Sequence, residues 1–277
     1  MKRFFLILAA VILLPLALDA KGEREGFVAM SFNIRYGTAE DGTNSWQYRY
    51  PASAMMLDDQ LPDVVGLQEA LTNQVQYLTT ALDKIYKAVG VGRDDGKKAG
   101  EIMAVLYNYK TTKLLKWGTF WLSDTPDTPS RGWDGACNRC ATWAIMKDKA
   151  TGKKFFFVNT HIDHVGEEAQ QKGVKLISDK IAEMNKDGLP VIVTGDFNLE
   201  ISSPALTPMK EGFQNARSTA VVTDDHFSYN GWGKSQSTID YVWFKGFNCT
   251  RFETVTKPYY DRTFISDHFP VKAILVL

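Results

Sequence analysis

Along the chain, short apolar runs alternate with longer amphipathic stretches. Runs rich in Val, Ile, Phe and Trp recur at Phe27–Asn33, Asp63–Leu67, Ile102–Tyr107, Ala141–Met146, Lys154–Asn159, Pro190–Thr194, Thr238–Phe244 and Val271–Leu277, and each reads as a strand. Between some of them the period lengthens. Leu71, Val75, Leu78 and Leu82 fall on one helical face, and so do Val174, Ile177, Ile181 and Met184. Thr72 to Gln74 supplies a helix start and Gly188-Leu189-Pro190 a stop. Strands outnumber helices, which predicts an α+β fold with sheets packed together and helices outside. No Pro/Gly/Ser-rich linker and no internal repeat divides the chain, so one domain is expected over residues 21–277. Ser123–Asn138, with turns at Thr125-Pro126, Thr128-Pro129 and Arg131-Gly132, reads as a long surface loop able to shape a binding site.

The first twenty residues break this pattern. Lys2 and Arg3 precede an apolar run from Phe4 to Leu18, and the small Ala20 follows. The segment reads as a signal peptide over residues 1–20, with a periplasmic or secreted product. The run is short for a membrane span, which needs ~20 apolar residues; an uncleaved anchor is the alternative. Setting aside Lys2, Arg3 and Asp19 from the 32 basic and 32 acidic residues leaves a net charge near −1. A dedicated nucleic-acid binder carries a basic surplus or stripe, and none is visible. The three cysteines are Cys137, Cys140 and Cys249. A lone C-x-x-C is weak evidence for zinc, so Cys137 and Cys140 read as a structural disulfide or as simple thiols, and Cys249 as a buried hydrophobe.

Polar residues repeatedly sit where an apolar run stops. Asn33 closes the first run, Gln68-Glu69 the second, Asn159-Thr160-His161 the fifth and Gly195-Asp196-Phe197-Asn198 the sixth. Asp240 lies inside Thr238–Phe244, and Ser266-Asp267-His268 precedes the last run. A strand end is a rigid platform on which side chains converge. Glu69, with amide help from Asn33, has the oxygen chemistry for a hard cation such as magnesium. Asp196, Asp267 and His268 can orient or deprotonate a water. His161 can bond a phosphate oxygen or protonate a leaving oxygen, Asn198 can position the nucleophile, and Asp240 can fix a histidine tautomer. These are the needs of in-line phosphoryl transfer. Taken singly, each residue also has an ordinary reading as a turn, a cap or a solvated group. Asp240 is the exception, because a carboxylate within an apolar strand needs a partner.

The order of the six pieces resembles the endonuclease/exonuclease/phosphatase superfamily, which includes DNase I-like nucleases, bacterial sphingomyelinases and inositol polyphosphate 5-phosphatases. The resemblance runs from about Phe27 to Leu277 and rests on Ser31-Phe32-Asn33, Gly66-Leu67-Gln68-Glu69, Asn159-Thr160-His161, Gly195-Asp196-Phe197-Asn198, Ser237-Thr238-Ile239-Asp240-Tyr241 and Ser266-Asp267-His268. Gly118–Ser123 and Asn159–Gly166 look like a secreted bacterial subgroup. The resemblance implies a four-layer α/β/β/α sandwich of two packed mixed sheets flanked by helices, with the site at one sheet edge. It implies Glu69 as the main metal ligand with Asn33 beside it, and His161 and His268 on either side of the scissile phosphate. Asp240 and Asp267 become orienting carboxylates, and Asp196 and Asn198 the pair that handles the water. Arg35 stands where some nucleases of the superfamily carry an acidic residue, which removes one metal ligand of that kind. Arg35, Glu101, Arg139, Asp163 and His164 are further candidates for contact with substrate.

The expectation is a monomeric magnesium-dependent phosphoesterase, with manganese as the alternative metal. The near-neutral charge favours a small or lipid-linked phosphate ester over long nucleic acid, with membrane contact only through a lipid substrate or an uncleaved signal. A DNase I-like nuclease and a non-catalytic binding module are the competing readings. The second would be expected to lack residues such as Glu69, His161, Asp196 and His268, all of which are present.

Overall fold

The computed structural model describes residues 24–277, so the signal-peptide expectation falls outside the described residues. Among these, one six-stranded sheet contains β1 (Phe27–Asn33), β2 (Val64–Gln68), β3 (Tyr86–Val89), β4 (Val105–Asn108), β11 (Asn248–Thr254) and β12 (Val271–Val276). The other contains β5 (Thr112–Trp121), β6 (Cys140–Asp148), β7 (Lys154–His161), β8 (Val191–Asp196), β9 (Gln214–Asn215) and β10 (Asp240–Lys245). The strand orders are β11-β12-β1-β2-β4-β3 and β5-β6-β7-β8-β10-β9. Five helices accompany them: α1 (Trp46–Gln60), α2 (Thr72–Ala81), α3 (Glu167–Met184), α4 (Thr207–Gly212) and α5 (Ala216–Thr219).

Three apolar layers hold the sandwich together. Phe32 and Leu67 of the first sheet face Met56 and Leu57 of α1 and Leu78 of α2. Ala29 and Val64 face Phe155, Phe157 and Val242 across the inter-sheet core. Val158 and Trp243 on the far side face Val174 and Ile177 of α3. Central strands buried on both faces carry nearly continuous apolar runs, which is why β1, β2, β7 and β8 were the most legible in the sequence.

Each sheet is built around one parallel pair: β1 with β2, ending at Asn33 opposite Gln68, and β7 with β8, ending at His161 opposite Asp196. An antiparallel neighbour then starts where those pairs end. Asp240, the first residue of β10, faces Asp196, and β12 begins at Val271 opposite Ser31, just after His268. Carboxyl ends of parallel strands, with no hydrogen-bonded continuation, are where open sheets form ligand sites.

Beneath that edge the two sheets touch. Gly66 faces Asn159 and Thr194 so closely that a Cβ would lie 2.3 Å and 2.1 Å from their side-chain oxygens. Gln68 donates to Asn159 Oδ1 (2.6 Å) and Ser31 Oγ (3.1 Å), and Asn159 donates to the carbonyls of Leu67 (2.7 Å) and Ala104 (3.1 Å). All four of Ser31, Gln68, Asn159 and Thr194 are buried, so these bonds form in low dielectric and fix the sheet spacing.

Some elements differ from expectation. Ile102 makes only isolated bridges, to Ala70 and Gly92, and the strand begins at Val105. Helix α1 was not anticipated because its buried face includes Arg49 and Ser53, and Pro51 interrupts its sequence pattern. Strands β3, β5, β9 and β11 were also not anticipated; β5 exposes Lys113 and Lys116 between apolar positions. Among the described residues no helix is long and apolar enough to cross a membrane.

Candidate active site

A cleft of about 390 Å³ opens at the shared edge, lined by Glu69, Glu101, His161, Asp196, Asn198 and His268 among others. Its floor centres on Asn33, whose amide nitrogen donates to Glu69 Oε1 (3.1 Å) and Asp196 Oδ2 (2.9 Å) and lies 3.4 Å from His268 Nε2. Residues contributed by both sheets thus meet at one atom. The Asn33 oxygen is turned away and accepts from the backbone N–H of Arg35 (3.0 Å). Asn33, expected beside Glu69 as a metal ligand, does lie next to it, with its amide nitrogen toward the two carboxylates.

The backbone bends sharply as it leaves the strands. Arg35, Glu69 and Asn198 adopt positive φ of 63°, 58° and 51°. Non-glycine residues rarely take this left-handed form, and holding one there costs of order 1–3 kcal/mol. The turns send Glu69 and Asn198 over the sheet edge. Local bonds hold them: the Tyr36 N–H donates to Glu69 Oε2 (2.8 Å), and the Asn198 N–H to Asp196 Oδ1 (2.9 Å).

The two histidines have different partners. His268 Nδ1 donates to Asp240 Oδ2 (2.8 Å), while its Nε2 lies 3.6 Å from Asp196 Oδ2. Burial alone would lower its pKa, but Asp240, Asp196 and Asp267 outweigh this and push it up to about 10. His161 Nε2 accepts from the Asn198 amide (2.9 Å), which places its proton on Nδ1, 3.8 Å from Glu101 Oε2. Burial first, then the charges of Arg139 and Arg93, hold His161 well below the usual histidine range. Burial likewise raises Glu101 to about 6 against the pull of Arg93. Burial and the Asp240 charge raise Asp196 above the carboxylate range.

The remaining candidates divide. Arg35 lines the cleft, but Asp41 takes its guanidinium (2.9 and 3.0 Å) and Asp267 lies 3.5 Å from it. Arg139 and His164 line the cleft and contact each other at 3.0 Å. Asp163, expected as a substrate contact, instead sits behind Arg139, where it accepts backbone N–H bonds from Ala136, Val165 and Gly166 (each 2.9 Å). Cys137, Cys140 and Cys249 are free thiols, so the disulfide alternative is not taken; Cys249 is buried as expected.

Sequence reading missed Arg49. This buried side chain of α1 donates to the carbonyls of Ile34, Arg35 (3.0 Å), Asn44 (2.9 Å) and Ile265 (3.3 Å). It ties the turn after β1 to the loop that carries Asp267 and His268. Burial lowers its pKa to about 10, so it stays charged at neutral pH. Tyr229 was missed too; its ring leans on His268 with centroids 4.8 Å apart.

The donor set fits a hard cation. Ligand atoms of Glu69, His161 and Asp196 lie within 4.8 Å of one another, with two carboxylates and no thiol among them. Few carboxylates, and a cleft with space for water and a phosphate oxygen, suit a hard divalent cation.

Hard-cation ligands and two proton carriers on one floor are what phosphoester hydrolysis requires, and the fold and site define a phosphoric ester hydrolase. More particularly, the chain belongs to the Endonuclease/Exonuclease/phosphatase family, whose pattern matches residues 30–268. An endonuclease/exonuclease/phosphatase from Bacteroides vulgatus is 38% identical, with 92% of this chain and 100% of that one covered and a TM-score of 0.85. A mannosyl-6-phosphatase from Bacteroides thetaiotaomicron is 33% identical, with 91% and 100% covered and a TM-score of 0.86. An uncharacterized protein of Acanthamoeba polyphaga mimivirus is 26% identical over 196 residues, covering 65% of this chain and 69% of the viral one.

Proposed function

We propose that this protein is a secreted, magnesium-dependent phosphatase that hydrolyses the phosphate monoester of a small alcohol, foremost a sugar phosphate. The observation that carries the reading is the meeting of Glu69, Asp196 and His268 at the Asn33 amide, with His161 bonded to Asn198 alongside. The similarity to a mannosyl-6-phosphatase supports the sugar phosphate, and the absence of a basic surplus in the sequence supports a small substrate.

A divalent cation held by Glu69 and Asp196 would neutralise charge on the phosphoryl oxygens. The chain's own residues do the rest. Asp196 and Asn198 orient the attacking water. His161 and His268 flank the phosphate, one neutral and one charged, which lets one take a proton while the other gives one. Asp240 holds His268 by Nδ1 and so turns its Nε2 toward the reaction, whereas Nε2 of His161 is held by the Asn198 amide and takes a proton only as that bond is released.

The test is turnover by the magnesium-loaded protein of mannose 6-phosphate, nitrophenyl phosphate, bis-nitrophenyl phosphate, phospholipid vesicles and plasmid DNA. Monoester turnover that EDTA abolishes and magnesium restores is expected. Plasmid nicking without monoester turnover would replace this reading with the nuclease one.

A further inference from the structure

One wall of the cleft holds hydrogen-bonding capacity that the protein does not use. Arg139 has only 7% of its side chain exposed; its Nη1 has no hydrogen-bond partner, and its Nε has only the Asp163 carboxylate 3.6 Å away. The Nε of neighbouring Arg93 is buried and unpartnered as well. Both arginines line the cleft, and buried N–H groups are normally satisfied, so unpaired donors on these two side chains are groups for a ligand to partner.

His164 completes the wall. Its Nδ1 lies 3.0 Å from Arg139 Nη2. An arginine only donates, so His164 Nδ1 must accept, and the ring hydrogen sits on Nε2. The Arg139 contact therefore fixes the tautomer and leaves an N–H as the ring's remaining polar group at the cleft. Asp163 steadies the arginine from behind, with 3.6 Å between its carboxylate and Arg139 Nε. Three backbone N–H groups hold Asp163 in turn.

The wall's charge is balanced. Glu101 pairs with Arg93 at 2.7 Å, and Asp163 stands against Arg139. What is left over is hydrogen-bond donors rather than positive charge. Neutral oxygen atoms match that surplus, whereas a second anionic group would find little net charge to meet it. An apolar group would leave the buried donors unpaired, and polar sites discriminate strongly against partners that lack the matching group.

We propose that Arg139, Arg93 and His164 form a subsite that binds the hydroxyl oxygens of the substrate's organic part and so selects a polyhydroxylated alcohol over an apolar one. The proposal rests on the monoesterase reading above. Arg35 also lines the cleft but is engaged by Asp41, so it is not one of the free donors. His164 in this scheme both binds and positions, because it orients Arg139 while offering its own N–H.

The test compares kcat/KM for mannose 6-phosphate with kcat/KM for nitrophenyl phosphate in the magnesium-loaded protein. His164→Ala is expected to lower that ratio about tenfold or more. His164→Gln, whose amide can both accept from Arg139 and donate to the cleft, should recover part of it. Nitrogen NMR of the wild type should show the His164 hydrogen on Nε2. An equal fall on both substrates would place the wall against the phosphate itself and overturn the subsite while leaving the monoesterase reading intact. Wild-type protein that turns over no monoester would remove both.

Discussion

The two histidines of the cleft are nearly equally buried, at 5% and 4% exposure, and differ in almost everything else. His268 stands among Asp240, Asp196 and Asp267 and is held charged. His161 faces the field of Arg139 and Arg93 and is held neutral. Burial disfavours the charged form of both, so burial cannot explain the difference. The carboxylate at Nδ1 is 2.8 Å away on one side and 3.8 Å on the other, and the nearer one sits on a strand while Glu101 sits at the end of a loop. Two copies of one side chain are given opposite charge states by their neighbours.

The strongest way to break this contrast is Asp240→Asn. Turnover should fall about 100-fold or more, in the range of lost acid–base help. Glu101→Gln should cost only about tenfold at the looser pair. Equal losses would show that the short contact confers nothing special. Glu69→Gln should weaken magnesium binding about tenfold or more by calorimetry, while Asp240→Asn, one step removed from the cation, should disturb it less.

Asn159→Leu tests the frame beneath both histidines. It removes one acceptor from the buried Gln68 amide and the side-chain donor from the Leu67 and Ala104 carbonyls, and the urea midpoint should report a loss of about 2–3 kcal/mol. Both sides of the site should suffer alike.

A smaller effect concerns pH. Folding raises Glu101 from 4.5 to about 6, so folding favours its protonated form. That contribution is complete below the unfolded value and disappears as pH rises through 6. Glu101→Gln should therefore gain about 2 kcal/mol on the wild type between pH 4 and 8, measured by urea unfolding in EDTA. No change would mean that Arg93 fully offsets the burial. Last, iodoacetamide should label the half-buried Cys137 faster than Cys140, which is 1% exposed and pushed up to about 12.

Much of the architecture was legible because the paired strands in the middle of each sheet are buried on both faces and carry unbroken apolar runs. Edge strand β11 and the lysine-studded β5 lack that signature, and α1 hides its period behind the buried Arg49. The polar strand ends were legible as a group, but not their division of labour. Gln68 and Asn159 stand beside Glu69 and His161 at the strand ends, yet they bond sheet to sheet below the floor. Asp163 looked like a cleft residue because it follows His161 by two positions, yet the chain leaves the strand at Ile162 and turns it inward to backbone donors. Neither local spacing nor residue type encodes which way such a turn runs.

The left-handed residues at the strand ends have an evolutionary corollary. Glycine would occupy positions 35, 69 and 198 without steric penalty, so neutral drift in a copy freed from selection for turnover has an easy path toward it. Relatives that keep the sandwich but carry glycine at the position of Glu69 or Asn198 should be read as retired enzymes, whose duties, where any persist, lie in binding alone.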